Sequence, residues 1–541
     1  MTTPTHQQSP GRRHFLLHTI AAPATFVGLS TAASYGEPLR PAGRRAAKVR
    51  GRTTDARVSF FPIPDGNAID AAVATALIAA VQAPSQTGIG GYGLSAIVSL
   101  SGGQQILAVD ANSTAPQSMT RDIFCPGPDG AVPDRKNDVG WLAAGVPGVL
   151  AGLQLLIDRF GSLKLETLLQ PALKITREGF PWPAGYAAAI ASKPIFAADP
   201  GSKKLYFRNG APLAAGETFR NPELAELLQT LASRNSVNDF YRGGIAQQLA
   251  DAFKANGGLV TAADLAAYQA KTTAPLVLQH GKRSVCTPPL TAGGISVLQM
   301  LQTWLALPHD LSSRPDSRPH CIAETMRIAW RDRLMLLGDP AATEVPHARL
   351  LSQDYAQQSA TAVAAAVNNG QILHHQLAGN NQAGTIHISA ADDQGNLIAL
   401  TLTHGNSFGA CVTAAGLGLT LGHGMSRFDP RPDHPNSPGP GKKPLHNMVP
   451  VIACEDSKPK FAIGGAGGRK IPNSIFSVLR PWLADETSLD DAVAAPRMHT
   501  EGTLSLELTA NSAPSDRAKL QKLGYAVRTA SSAVLAAEAT F

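Results

Sequence analysis

Gly384-Thr385-Ile386-His387-Ile388-Ser389, then Asp392-Asp393-Gln394-Gly395-Asn396, then Leu397-Ile398-Ala399-Leu400-Thr401-Leu402-Thr403 read as strand, turn and strand. Apolar residues alternate in the first run, turn formers fill the middle, and the last run is aliphatic and β-branched, so the segment is a β-hairpin. Downstream, the strand-like residues 460–463 enter Gly464-Gly465-Ala466-Gly467-Gly468, and a helix is expected over residues 471–483. Upstream, residues 145–373 carry mainly helical signals, with amphipathic helices expected at 149–160, 223–232, 245–255 and 320–337. Helices, then a hairpin, then a strand-helix unit predict an α+β fold with stacked αββα layers.

Nearer the start, Gly66-Asn67 opens an Ala-rich, almost wholly apolar run over residues 68–81, which predicts a helix buried on most faces. It leads into Gly88-Ile89-Gly90-Gly91-Tyr92-Gly93 and a strand at 94–100. The glycines match G-x-G-x-x-G, but a dinucleotide site needs the strand first and the helix second. The order here is the reverse, so nucleotide binding is rejected.

The chain has 541 residues and a formal net charge of +7. Its Lys and Arg are scattered, with no basic stripe interleaved with aromatics, which argues against a nucleic-acid partner. Cys125, Cys286, Cys321, Cys411 and Cys454 lack the spacing of a disulfide framework or a metal site and are expected to be buried as small apolar residues. Gly11-Arg12-Arg13-His14-Phe15-Leu16-Leu17, a short apolar run and Thr31-Ala32-Ala33-Ser34 have the form of a twin-arginine export signal over residues 1–34. A linker at 35–55 follows. A periplasmic or secreted protein without a stable membrane anchor is expected, because the apolar run is too short to span a bilayer.

Thr385 heading a strand is by itself an ordinary β residue. The approach Ala378-Gly379-Asn380-Asn381-Gln382-Ala383-Gly384 changes its reading, since small residues leave the carbonyl before Thr385 open to its hydroxyl. A Thr freed at an N-terminus carries an α-amine of pKa about 8, able to act as base for its own hydroxyl. Gly467 and Gly468, between a strand and a helix, can present consecutive N–H groups to an oxyanion.

With these residues, Gly66-Asn67-Ala68-Ile69-Asp70, Val146-Pro147-Gly148, Glu178-Gly179-Phe180-Pro181, Asp264-Leu265-Ala266-Ala267-Tyr268, Gly338-Asp339-Pro340 and Gly465-Ala466-Gly467-Gly468 the chain resembles the γ-glutamyltranspeptidase family of N-terminal-nucleophile hydrolases. The resemblance runs from Gly66 to about Tyr525. It implies a four-layer αββα sandwich and cleavage between Gly384 and Thr385. A heavy subunit (residues 56–384) and a light subunit (385–541) would stay together as a heterodimer. Thr385 would be the nucleophile, Thr403 its supporting hydroxyl, and Gly467 with Gly468 the oxyanion hole. No metal or organic cofactor is implied, and the substrate would be a small amide or peptide.

The residues expected to hold a γ-glutamyl group depart from the family. Asn112 stands where an Arg is expected, Arg427 where an acid is expected, and His446 and Asn447 where paired serines are expected. Unpaired charges in a buried site are costly, so a different acyl group is expected, with Arg427 pairing a carboxylate on a dicarboxylic acyl chain or on a poly-acidic substrate. Two alternatives stay open: a true γ-glutamyltransferase or glutathione hydrolase with a rearranged pocket, and an unprocessed, inactive binding protein.

Overall fold

Asn67 starts the first helix, α1 (Ala68–Gln82). Its side chain accepts from the Ile69 and Asp70 N–H groups, and Asp70 returns a bond to the Asn67 N–H, closing a capping box. Every residue of α1 is buried, as a helix without a polar face requires. The computed structural model describes residues 65–374 and 384–530, with the backbone of three short strands at Ile20–Ala21, Lys48–Val49 and Ala537–Thr540. The rest of the export-signal and linker segments lies outside the described residues. Among those described, no helix is long and apolar enough to cross a membrane.

The glycine run after α1 passes into β1 (Gly93–Leu100) and β2 (Gln105–Asn112), in the order that excludes a dinucleotide site. Helices α2 (Val149–Phe160) and α3 (Leu165–Glu178) follow, then β3 (Lys271–Thr273), β4 (Leu276–His280), β5 (Arg283–Thr287), α4 (Gly294–Leu305) and α5 (Arg318–Leu336). The hairpin is β6 (Ile386–Ala391) and β7 (Leu397–Thr403). After it come β8 (Val451–Glu455), β9 (Lys458–Gly465) and α6 (Lys470–Ala484).

One sheet runs β6-β7-β1-β2-β3, with Ile20–Ala21 and Lys48–Val49 both beside β6. The other runs β4-β5-β8-β9, with Ala537–Thr540 beside β9. The two meet across a thin apolar layer that includes Ile97, Cys286, Leu397, Ala399, Ile452 and Ala462. Helices α1, α2 and α3 bury their apolar faces on the outside of the first sheet, and α4, α5 and α6 on the outside of the second. The result is the αββα sandwich expected from the order of elements.

Three expectations need correction. Strands β3 to β5 interrupt the region read as helical. Arg283-Ser284-Val285-Cys286-Thr287 is too short to show a period, and it becomes a central strand because β4 and β8 flank it. Helix α5, read as amphipathic, is buried on nearly every face and encloses Glu324, Arg327, Asp332 and Arg333. Cys125 is exposed, while the other four cysteines are buried.

His387 of β6 fills the space between the sheets. Its ring nitrogens bond the Thr401 and Ser389 hydroxyls, each at 2.9 Å. Burial brings its pKa down to about 3, so the ring is neutral. Gly464 of β9 leaves room for it, since a Cβ there would lie 2.2 Å from the ring. Gly464→Ala is therefore expected to destabilise the protein by about 1–3 kcal/mol, read as a lower denaturant midpoint than the parent's.

Candidate active site

Antiparallel pairing of Ile386 with Leu402 brings Thr385, one residue before β6, opposite Thr403, the last residue of β7. Both are buried, and their hydroxyl oxygens are 3.1 Å apart. The Thr403 hydroxyl donates to the Gly384 carbonyl and accepts from the Gly405 N–H at 2.8 Å. The same N–H reaches the Gly384 carbonyl at 3.3 Å. A hydroxyl has one proton, and Thr403 spends its own on Gly384, so Thr385 is the donor in the pair of threonines. The carbonyl before Thr385 thus faces two donors that polarise it, beside a hydroxyl with free lone pairs. Donors placed where negative charge develops are what acyl transfer requires.

Gly384 has φ +153°, and a Cβ on it would lie 2.7 Å from the Asn406 carbonyl carbon. Only glycine passes there without strain. Gly467 and Gly468 form the buried turn between β9 and α6, with φ +129° and +61°. Since Gly464 of the same strand packs on His387, two residues past Thr385, this turn opens near the start of β6.

Next to Asn406, which packs on Gly384, lies a cavity of about 450 Å³ whose walls include Asn406, Arg427, Asn447, Arg333, Arg469 and Asp138. Arg427 is not a surface loop residue. Its Nη2 donates to the Gly405 carbonyl and, at 3.3 Å, to His423 Nε2, and its guanidinium lies 5.7 Å from the centre of the Tyr92 ring. Burial lowers its pKa. His423 in turn donates from Nδ1 to Asp138 at 3.0 Å. Gly405 therefore ties Arg427 on one side to the threonine pair on the other.

Asn447 lines this cavity, but Asn112 and His446 face elsewhere. Asn112 is fully buried, and its amide donates to Thr291 Oγ1 at 2.9 Å and to the Pro444 carbonyl at 2.7 Å. His446 has its backbone N–H on the Thr291 carbonyl, and burial brings its ring down to about 3. Sequence reasoning missed Arg333, Arg469, His423 and Asp138. The position of Arg469 directly after Gly468 was a usable signal. Arg333, in the last turn of a helix where a basic residue is ordinary, offered none.

Three comparisons bear on this geometry. The family described as Gamma-glutamyltranspeptidase matches residues 64–540. Among characterised relatives, the glutathione hydrolase proenzyme of Escherichia coli K12 is 31% identical over 498 residues, covering 88% of this chain and 84% of its own. The Acylase ACY 1 proenzyme of Pseudomonas sp. V22 is 34% identical over 453 residues, covering 82% and 80%. Among solved structures, a cephalosporin acylase from Bacillus halodurans superposes with a TM-score of 0.79 over 95% of each chain at 22% identity, a likeness of fold.

Proposed function

Because the chain belongs to the gamma-glutamyltranspeptidase family of hydrolase and transferase enzymes, we propose that it is an exported, self-processing amidase or acyltransferase whose nucleophile is Thr385. The observation that carries this reading is the Thr385 hydroxyl beside Thr403, with the Gly384 carbonyl held by Thr403 and Gly405. In self-cleavage the Thr385 oxygen attacks the Gly384 carbonyl carbon and the proton passes to the Thr385 nitrogen. The resulting ester is hydrolysed, freeing the Gly384 carboxylate and the Thr385 α-amine. Heavy and light subunits then remain as one heterodimer.

In turnover the α-amine accepts the hydroxyl proton as Thr385 attacks a substrate amide, then passes it to the leaving amine. Gly467 and Gly468 would supply oxyanion donors. Water or an acceptor amine resolves the acyl-enzyme. The acyl group differs from γ-glutamyl and carries a carboxylate for Arg427. Among the described cavity walls the acids are Asp138, bonded to His423 and Arg135, and Asp429, paired with Arg431 and near His434. An α-ammonium group would find its acceptors already engaged.

Intact mass under denaturing conditions tests the processing. Two fragments split between Gly384 and Thr385 are expected, and an uncut chain would sink the proposal in favour of the binding-protein alternative. On the processed protein, kcat/KM for a glutaryl anilide is expected to exceed that for the γ-glutamyl anilide by tenfold or more. The reverse order would favour the rearranged γ-glutamyl enzyme, the activity that the E. coli relative's name implies.

A further inference from the structure

Arg333 of α5 is buried, with 2% of its surface exposed. Its Nη2 donates to the His446 carbonyl at 2.7 Å and to Asn447 Oδ1 at 3.2 Å. Among the described residues its Nη1 has no hydrogen-bond partner, and neither has Nε of Arg427. Both residues line the same 450 Å³ cavity, with Arg469 a third guanidinium on its wall. Burial, with the charge of Arg469 nearby, brings the Arg333 guanidinium down to about 10, so it stays charged at neutral pH. Arg469 is engaged by Glu501 at 2.9 Å, whereas among the described residues Arg333 has no carboxylate partner.

A buried guanidinium with an unpaired N–H is unfavourable unless something completes its bonds. Two guanidinium side chains lining one cavity whose acids are already paired fit an anion with two oxygens. We infer that Arg333 and Arg427 together clamp the distal carboxylate of the acyl group. This rests on the acyl-transfer function proposed above and adds a specificity-determining residue to it. The clamp would be built from both sides of the cleavage point, one Arg before residue 384 and one after. It takes over, from different elements, a task that Asn112 cannot perform.

The test is calorimetric binding of glutarate, which is not cleaved, and of its neutral diamide glutaramide, to the processed protein and to R333K, N447D and R427K. Glutarate is expected to bind the parent well ahead of glutaramide. R333K is expected to weaken glutarate by tenfold or more while leaving glutaramide unmoved, because an ammonium cannot reproduce the guanidinium geometry. Asn447→Asp should do the same without altering either arginine, by supplying a carboxylate that occupies Arg333. It carries the test should R333K fail to fold. If R333K or N447D binds glutarate like the parent while R427K loses it, the Arg333 half of the clamp is overturned and the dicarboxylic reading survives. If the parent itself does not prefer glutarate to glutaramide, both fall.

Discussion

Thr385→Ala is expected to remain a single uncut chain without amidase activity, and Thr403→Val to process itself 100- to 1,000-fold more slowly than the parent. The first follows from loss of the only hydroxyl adjoining the Gly384 carbonyl on its C-terminal side. The second follows from the bonds of Thr403, whose hydroxyl donates to that carbonyl, receives the Thr385 proton and holds the Gly405 N–H. Losing one oxyanion donor costs about 10²- to 10³-fold in rate, and valine keeps the shape while removing all three bonds. Thr403→Ser should retain most of the rate. A time course of intact mass after expression reads all three variants. Processing of Thr403→Val at the parent's rate would show that the polarisation of Gly384 is incidental.

Acid is expected to destabilise the protein steeply between pH 7 and pH 5. Burial holds His387, His404 and His446 at about 3, far below the ordinary histidine value near 6.5. Because the folded-state pKa is the lower one, the unfolded chain binds protons that the folded chain refuses. Stability is therefore full above about pH 7 and falls as pH drops through 6.5 towards 3. At pH 5 each histidine removes on the order of 2 kcal/mol, or roughly 6 kcal/mol for the three. Asp138 acts in the same direction at lower pH. Burial raises its pKa, but the bonds from His423 and Arg135 outweigh that and lower it. Denaturant midpoints of the uncut Thr385→Ala chain at pH 7, 6 and 5 measure this, and a flat profile would mean that these rings are protonated when folded.

Much of the fold was legible because its signals are local. The Ala-rich run of α1, the turn at Asp392 to Asn396 and the glycines after β9 each announce one element. Strand β5 was not legible, because its burial comes from neighbours more than a hundred residues apart in sequence. Thr385 stood out as a candidate for a chemical reason: it follows a small-residue approach, and the hairpin sets its hydroxyl beside that of Thr403. The recognition groups were less so. Asn112 was read as a pocket residue because it stands where the resemblance expects an Arg, yet its NH2 group is spent on Thr291 and Pro444. Arg333 sits in a helix where a charged residue normally faces water, and only the packing of α5 against residues 446 and 447 makes it part of a cavity wall.

The sheets carry one more consequence. In the first, β1, β2 and β3 precede Gly384 while β6 and β7 follow it; in the second, β4 and β5 precede it while β8 and β9 follow. A cut before Thr385 would therefore part each sheet between two blocks of neighbouring strands, leaving each fragment with an edge that the other fragment pairs. Unfolding the cut protein releases two polypeptides whose bare strand edges invite self-association, and recovery becomes a bimolecular encounter that slows on dilution. An uncut chain would refold in a unimolecular step, whereas a cut pair, once melted, would be prone to aggregate. The lifetime of the mature enzyme would then be governed by how seldom it opens rather than by an equilibrium.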